Sequence, residues 1–131
     1  MLDFEKYIYE TLGIVVKPSE WEGKKKMINL LQDGYDYFKI SVLGLECLVM
    51  AARDEKEETP AVIKKRMELV NAHWGGEIIY SRSRISSFNR RRLIGHKISF
   101  IVPFNQMYLP LIKIDRSEEH TSELQSHSFI S

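Results

Sequence analysis

Apolar residues recur along this chain in two periods, and the places where the period changes divide it into elements. In the opening stretch LDFEKYIYETLG, Leu2, Phe4, Tyr7, Ile8 and Leu12 fall at mixed helical spacings and Gly13 offers a stop, which predicts a short amphipathic helix. IVVKP reads as an extended piece ended by Pro18, whereas SEWEGKKKMINLL fits either a loop or a helical turn. In YDYFKISVLGLECLVMAARD, aromatic and β-branched residues flank Gly44, the pattern of a β-hairpin. Its second arm, LECLVM, is apolar on both faces, as a central strand requires. The charged run RDEKEE is expected to be a solvated connection.

Thr59 followed by Pro60 is a helix start, because a side-chain oxygen can accept from orphan backbone N–H groups and proline needs no partner at the first helical position. The following helix places Val62, Ile63, Met67, Val70 and Trp74 on one stripe, and Gly75 and Gly76 can end it. EIIYS is a short strand, Ser86 or Ser87 can cap a second helix in FNRRRLIGHK, and ISFIVPFNQMYLPLI gives two β pieces around the turn formers Pro103 and Asn105. The predicted order is α-β-β-α-β-α-β-β. A mixed β-sheet covered by helices, in one small α/β (α+β) domain, is the economical way to bury those faces.

Length and composition fit that picture. With 131 residues, 44% hydrophobic and 28% charged, the chain can bury roughly two-thirds of its unfolded surface and needs neither disulfide nor metal to hold one core. Its single cysteine, Cys47, sits in an apolar run as a small hydrophobe, usage that suits a reducing compartment. No signal-peptide pattern opens the sequence and no run reaches membrane-spanning length, so a cytoplasmic protein without membrane partners is expected.

The ending stands apart. RSEEHTSELQS, residues 116–126, resembles the in-frame translation of a common sequencing-library adapter. Residues 127–131 continue compatibly with the adapter's following bases. Residues 1–115 are therefore expected to be the natural α/β domain and 116–131 an artefactual, disordered tail, with the coding sequence broken at or just after Asp115. Setting the tail aside leaves 18 basic and 15 acidic side chains in 1–115, a mild excess that announces no nucleic-acid partner by charge alone. It also leaves only His73 and His96 as histidines, which complete no local zinc pattern, so no metal or cofactor is expected.

Two polar features bear on chemistry. In SRSRISSFNRRRLIGHK, residues Arg82, Arg84, Arg90, Arg91, Arg92 and Lys97 are candidate phosphate or partner contacts. Three consecutive arginines diverge around a helix, however, which favours a solvated face pairing with RDEKEE or another acidic loop. Asp36 and Glu46 lie on the two hairpin arms, and restriction-endonuclease-like folds hold magnesium with carboxylates on a hairpin followed by a helix. That motif wants carboxylate, any residue, then lysine, and here the tripeptide is ECL with Leu48 in the lysine position. The expectation is a non-enzyme, with a restriction-endonuclease-like fold lacking catalysis kept open.

The succession YDYFKISVLGLECLVM, TPAVIKKRMELV and NRRRLIGHKISFIVPFNQMYLPLIKID resembles the amino-terminal domain of bacterial proteins labelled MarR-family (multiple-antibiotic-resistance regulator type) transcriptional regulators. The likeness spans most of 27–115 and is most specific over 89–115, through Asn89, Leu93, Ile94, Phe100, Val102, Pro103, Gln106, Tyr108, Leu109 and Pro110. In that group the segment precedes a winged helix-turn-helix, which is missing here. The resemblance thus implies a truncated regulator whose remaining domain dimerises, senses a ligand or contacts a partner, and which meets DNA only through the missing domain. The alternatives are an inactive or degenerate metal-dependent nuclease-like domain, and a small module that pairs through a sheet edge near QMYLP.

Overall fold

The computed structural model describes residues 1–112 and 114–117. Helix α1 (Asp3–Leu12) is followed by a two-residue strand β1 (Ser19–Glu20), a 3-10 turn (Glu22–Lys26) and a short helix α2 (Asn29–Gly34). The hairpin β2 (Tyr35–Val42) and β3 (Leu45–Ala52) leads into α3 (Pro60–Trp74), β4 (Glu77–Ser81), α4 (Ser87–Gly95), β5 (Phe100–Val102), β6 (Gln106–Leu109), a 3-10 turn and β7 (Ile114–Ser117). The seven strands of the described residues form one mixed sheet in sequence order. β3, β4 and β5 run parallel, and the remaining neighbours pair antiparallel.

The predicted order of elements is present, with additions. The segment left open between loop and turn holds the 3-10 turn and α2, and strands β1 and β7 extend the sheet at either side. IVVKP forms no strand of its own; pairing starts one residue after Pro18, at Ser19. The edge expected near QMYLP is covered, since β7 pairs with the outer side of β6. Arg116 and Ser117, assigned to the tail by sequence, continue β7. The disorder expected of the rest of that tail lies outside the described residues.

Local signals account for most boundaries. The Thr59 hydroxyl accepts from Val62 N–H at 3.3 Å, Pro60 occupies the first turn, and Gly75 closes α3 in the left-handed conformation at φ 77°. Ser86 caps α4 by accepting from Asn89 N–H at 3.2 Å. The β2–β3 turn puts Leu43 and Gly44 at φ 52° and 83°, the two positive dihedrals of a tight hairpin.

Both crossovers, β3-α3-β4 and β4-α4-β5, advance in the same direction across the sheet, so a common hand places α3 and α4 on one face. Ile63 and Val70 of α3 and Leu93 of α4 pack there with Leu48, Met50, Ile78, Tyr80 and Phe100. The opposite face holds Cys47, Val49, Ile79, Ile101 and Met107 beneath Phe4, Tyr7 and Ile8 of α1. Strand β3 contributes to both clusters, as its doubly apolar sequence requires. One residue of the α3 stripe departs from expectation: Val62 is 37% exposed, because the layer covers a narrower arc than the apolar spacing allows.

Candidate functional site

Open α/β sheets hold their ligands outside the carboxyl ends of parallel strands. Here that end is filled by a polar network. Tyr35 opens β2 opposite Ala52 at the end of β3, Tyr80 stands near the end of β4, Arg82 follows it, and Glu58 and Arg66 come from the approach to α3 and its second turn. Ile78 and Tyr80 share the inner face of β4 at alternate positions, and Arg82 continues that phase. Arg66 lies three residues after buried Ile63 and four before buried Val70, on the inward stripe of α3.

Glu58 is the hub. Its carboxylate accepts from the Tyr35 hydroxyl, from Arg66 and, at 2.7 Å, from the Tyr80 hydroxyl. Arg66 donates to the Tyr35 oxygen at 2.9 Å, and Arg82 Nε donates to the Tyr80 oxygen at 2.8 Å. Arg82 Nη1 donates to the Asp54 carbonyl at 2.9 Å, while Nη2 lies 3.4 Å from Glu58 in ion-pair geometry. The Arg82 side chain is 3% exposed and that of Glu58 13%. Burial is the largest influence on both tyrosines and raises them well above the ordinary phenol range, reinforced by the Glu58 carboxylate. Burial opposes the charge on Arg82, but the Tyr80 hydroxyl, Glu58 and Asp54 outweigh it and hold the guanidinium charged. Each hydroxyl donates to the carboxylate and accepts from an arginine, so the hub carboxylate accepts three hydrogen bonds and faces the Arg82 guanidinium as a fourth partner. Such a group fastens the 53–59 connection onto the sheet.

RDEKEE is therefore only partly a solvated connection: Asp54, Glu55 and Lys56 are exposed, but Glu58 turns inward. Glu57 accepts from Ser86 N–H and hydroxyl at 3.0 Å each and from the Asn89 amide at 2.6 Å, crossing the first turn of α4. Partial burial pushes its carboxyl upward, yet these three donors prevail and hold it below the usual range.

The six-residue basic cluster divides. Arg82 is buried in the network, and Arg90, 7% exposed, donates to Asn105 Oδ1 at 3.1 Å, which ties α4 to the β5–β6 turn. These two are spent inside the fold and are not surface contacts. Arg84, Arg91, Arg92 and Lys97 are exposed, and Arg92 lies over the Phe88 ring at 5.3 Å. The pairing with RDEKEE foreseen for the arginines occurs, among the described residues, through Arg82. Sequence reading passed over Tyr35, Glu58, Arg66 and Tyr80. The signal available for Arg66 and Arg82 was their phase in α3 and after β4.

The hairpin carboxylates do not converge. Asp36 pairs in register with Ala51 and Glu46 with Ser41, five positions apart, about 17 Å along the strands. Asp36 instead lies 4.0 Å from Lys24 and 3.8 Å from Arg53. Among the described residues no group of three or more His, Cys, Asp and Glu is arranged to hold a metal ion. No described helix is long and apolar enough to cross a membrane. At the opposite end of the sheet, an open groove of about 240 Å³ lies between α3 and the starts of β4 and β5, lined among others by Lys64, Met67, Glu68, Glu77, Lys97 and Ile98.

The geometry defines a small α+β domain with a mixed sheet and a closed polar network at the carboxyl end of its parallel strands. No protein-family model, no curated protein and no solved structure matches the chain.

Proposed function

We propose that this chain is the non-catalytic α/β body of a bacterial, cytoplasmic transcriptional regulator of the MarR-labelled kind, serving dimerisation, sensing or partner contact. DNA reading in the intact protein belongs to a winged helix carried by further sequence, whose recognition helix enters a major groove. The sequence resemblance over 89–115 supports the regulator assignment. Its positions serve packing and turns: Leu93, Phe100, Val102 and Leu109 are buried, and Pro103 begins the β5–β6 turn. The observation that carries the non-catalytic half is the hairpin register, which holds Asp36 and Glu46 at opposite ends.

An inactive or degenerate metal-dependent nuclease is the second reading. A hairpin followed by a helix and a parallel strand, as in β2-β3-α3-β4, is the frame in which restriction-endonuclease-like folds hold their carboxylates, and this favours it. Electrophoretic shift with DNA fragments of equal length and different sequence tests the regulator body: the 131-residue chain should show no preference among them, and a tight sequence-specific complex would defeat the division of labour. Magnesium-dependent DNA cleavage abolished by Glu46→Ala would put the nuclease ahead. Light scattering at several concentrations should show a dimer.

A further inference from the structure

Charge is unevenly distributed along this chain. Residues 60–97, which form α3, β4 and α4, carry nine basic and two acidic side chains, whereas 1–59 carry eight basic and twelve acidic. Three of the nine, Arg66, Arg82 and Arg90, point inward onto internal partners. The other six, Lys64, Lys65, Arg84, Arg91, Arg92 and Lys97, are all exposed. Against them stand exposed Glu68, half-buried Glu77, and Glu57 at the first turn of α4 with its oxygens already engaged.

Four of these cations, Lys64, Arg91, Arg92 and Lys97, lie on one layer. Lys64 of α3 and Lys97 after α4 line the same groove, and Arg91 and Arg92 stand three and four residues after Phe88, on one outward face of α4. Phe88 is 60% exposed and rests against Arg92. A largely exposed aromatic ring with a guanidinium lying over it, set among cations, is a surface on which an unpaired base stacks while its phosphates are neutralised. A duplex satisfies the charge but keeps its base faces stacked away from such a ring.

We infer that the outer layer of α3 and α4 is a sequence-tolerant contact surface for single-stranded nucleic acid, with Phe88 stacking a base and Arg91, Arg92, Lys97 and Lys64 following the phosphates. The surface does not depend on the regulator assignment, because it reads no sequence and requires no further domain.

Anisotropy of a fluorescein-labelled oligothymidylate of about 20 nucleotides, longer than a typical single-strand site, titrated with the 131-residue chain at several salt concentrations, tests the surface. Affinity should fall with salt at a log–log slope near −3, given roughly −0.7 per phosphate on a single strand and about four contacts. Arg91→Ala with Lys97→Ala should flatten that slope by about 1.4. Phe88→Ala should weaken binding about tenfold with the slope unchanged, and Phe88→Tyr should restore it. Lys17→Ala with Lys26→Ala, an equal charge change at exposed positions elsewhere, should alter neither. All of these side chains are exposed, and matching circular dichroism confirms that the variants share one fold. Absence of salt-dependent binding, equal losses from the control pair, tighter binding of a duplex with Phe88→Ala neutral, or equally effective competition by polyglutamate would each overturn the inference.

Discussion

Replacing Glu58 by alanine removes the one carboxylate that three hydrogen-bond donors and the Arg82 guanidinium share. Tyr35 and Tyr80 lose the acceptor for their hydroxyls, Arg66 loses its ion pair, and Arg82, with 3% of its side chain exposed, keeps a positive charge in the interior with only Asp54 and the Tyr80 oxygen beside it. An orphaned buried neutral donor costs about 1–3 kcal/mol. A buried charge stripped of its partner costs about 3–5 kcal/mol, and because the losses share one hub they do not add. The larger figure sets the scale, so Glu58→Ala should destabilise by about 3–5 kcal/mol and lower Tm by about 10–20 °C in a domain of this size. Urea unfolding followed by far-UV circular dichroism, at pH 7, measures it. Arg82→Leu removes the stranded charge, so the Glu58→Ala, Arg82→Leu pair should be considerably less destabilised than the two single losses summed. A loss below about 1 kcal/mol for Glu58→Ala, or strict additivity with Arg82→Leu, would refute the account of the network as a mutually dependent lock.

Three further outcomes follow from individual groups. Glu57, held below the usual carboxyl range, contributes stability above its unfolded value near 4.5 that disappears as pH falls through its lowered folded value. Glu57→Ala should therefore be less stable than the parent at pH 7, with the difference closing in unfolding curves taken at progressively lower pH beneath 4.5. Burial raises Glu77, the reverse case: its contribution is complete below 4.5 and lost as pH rises through the raised folded value. Glu77→Gln should accordingly melt higher than the parent at pH 7 and at the same temperature in strong acid. Burial, then the charges of Glu77 and Glu46, pushes the Cys47 thiol up to about 11, so iodoacetamide at pH 8 should label native protein at least tenfold more slowly than urea-unfolded protein.

What the sequence determined by itself is whatever a few neighbouring residues decide. Thr59-Pro60 and Gly75 bound α3, Ser86 starts α4, Leu43-Gly44 turns the hairpin, and the doubly apolar LECLVM becomes an interior strand, because caps, left-handed glycines and side-chain alternation act within about four residues. The α+β class follows from that order of elements. Tertiary structure alone decided which charges are exposed surface and which are internal mortar. Arg82 and Arg84 are two positions apart in one polar run, yet the first is buried and the second exposed, because a carboxylate 24 residues earlier meets only the first. Asp36 and Glu46 belong to the two arms of one hairpin, and the register sets them about 17 Å apart. The added strands β1 and β7 have the same origin: two- and four-residue segments with no strong pattern become strands only when a sheet edge supplies their hydrogen bonds. Long-range pairing makes a charge's desolvation and its compensation inseparable, and neither can be assigned until both partners are in place.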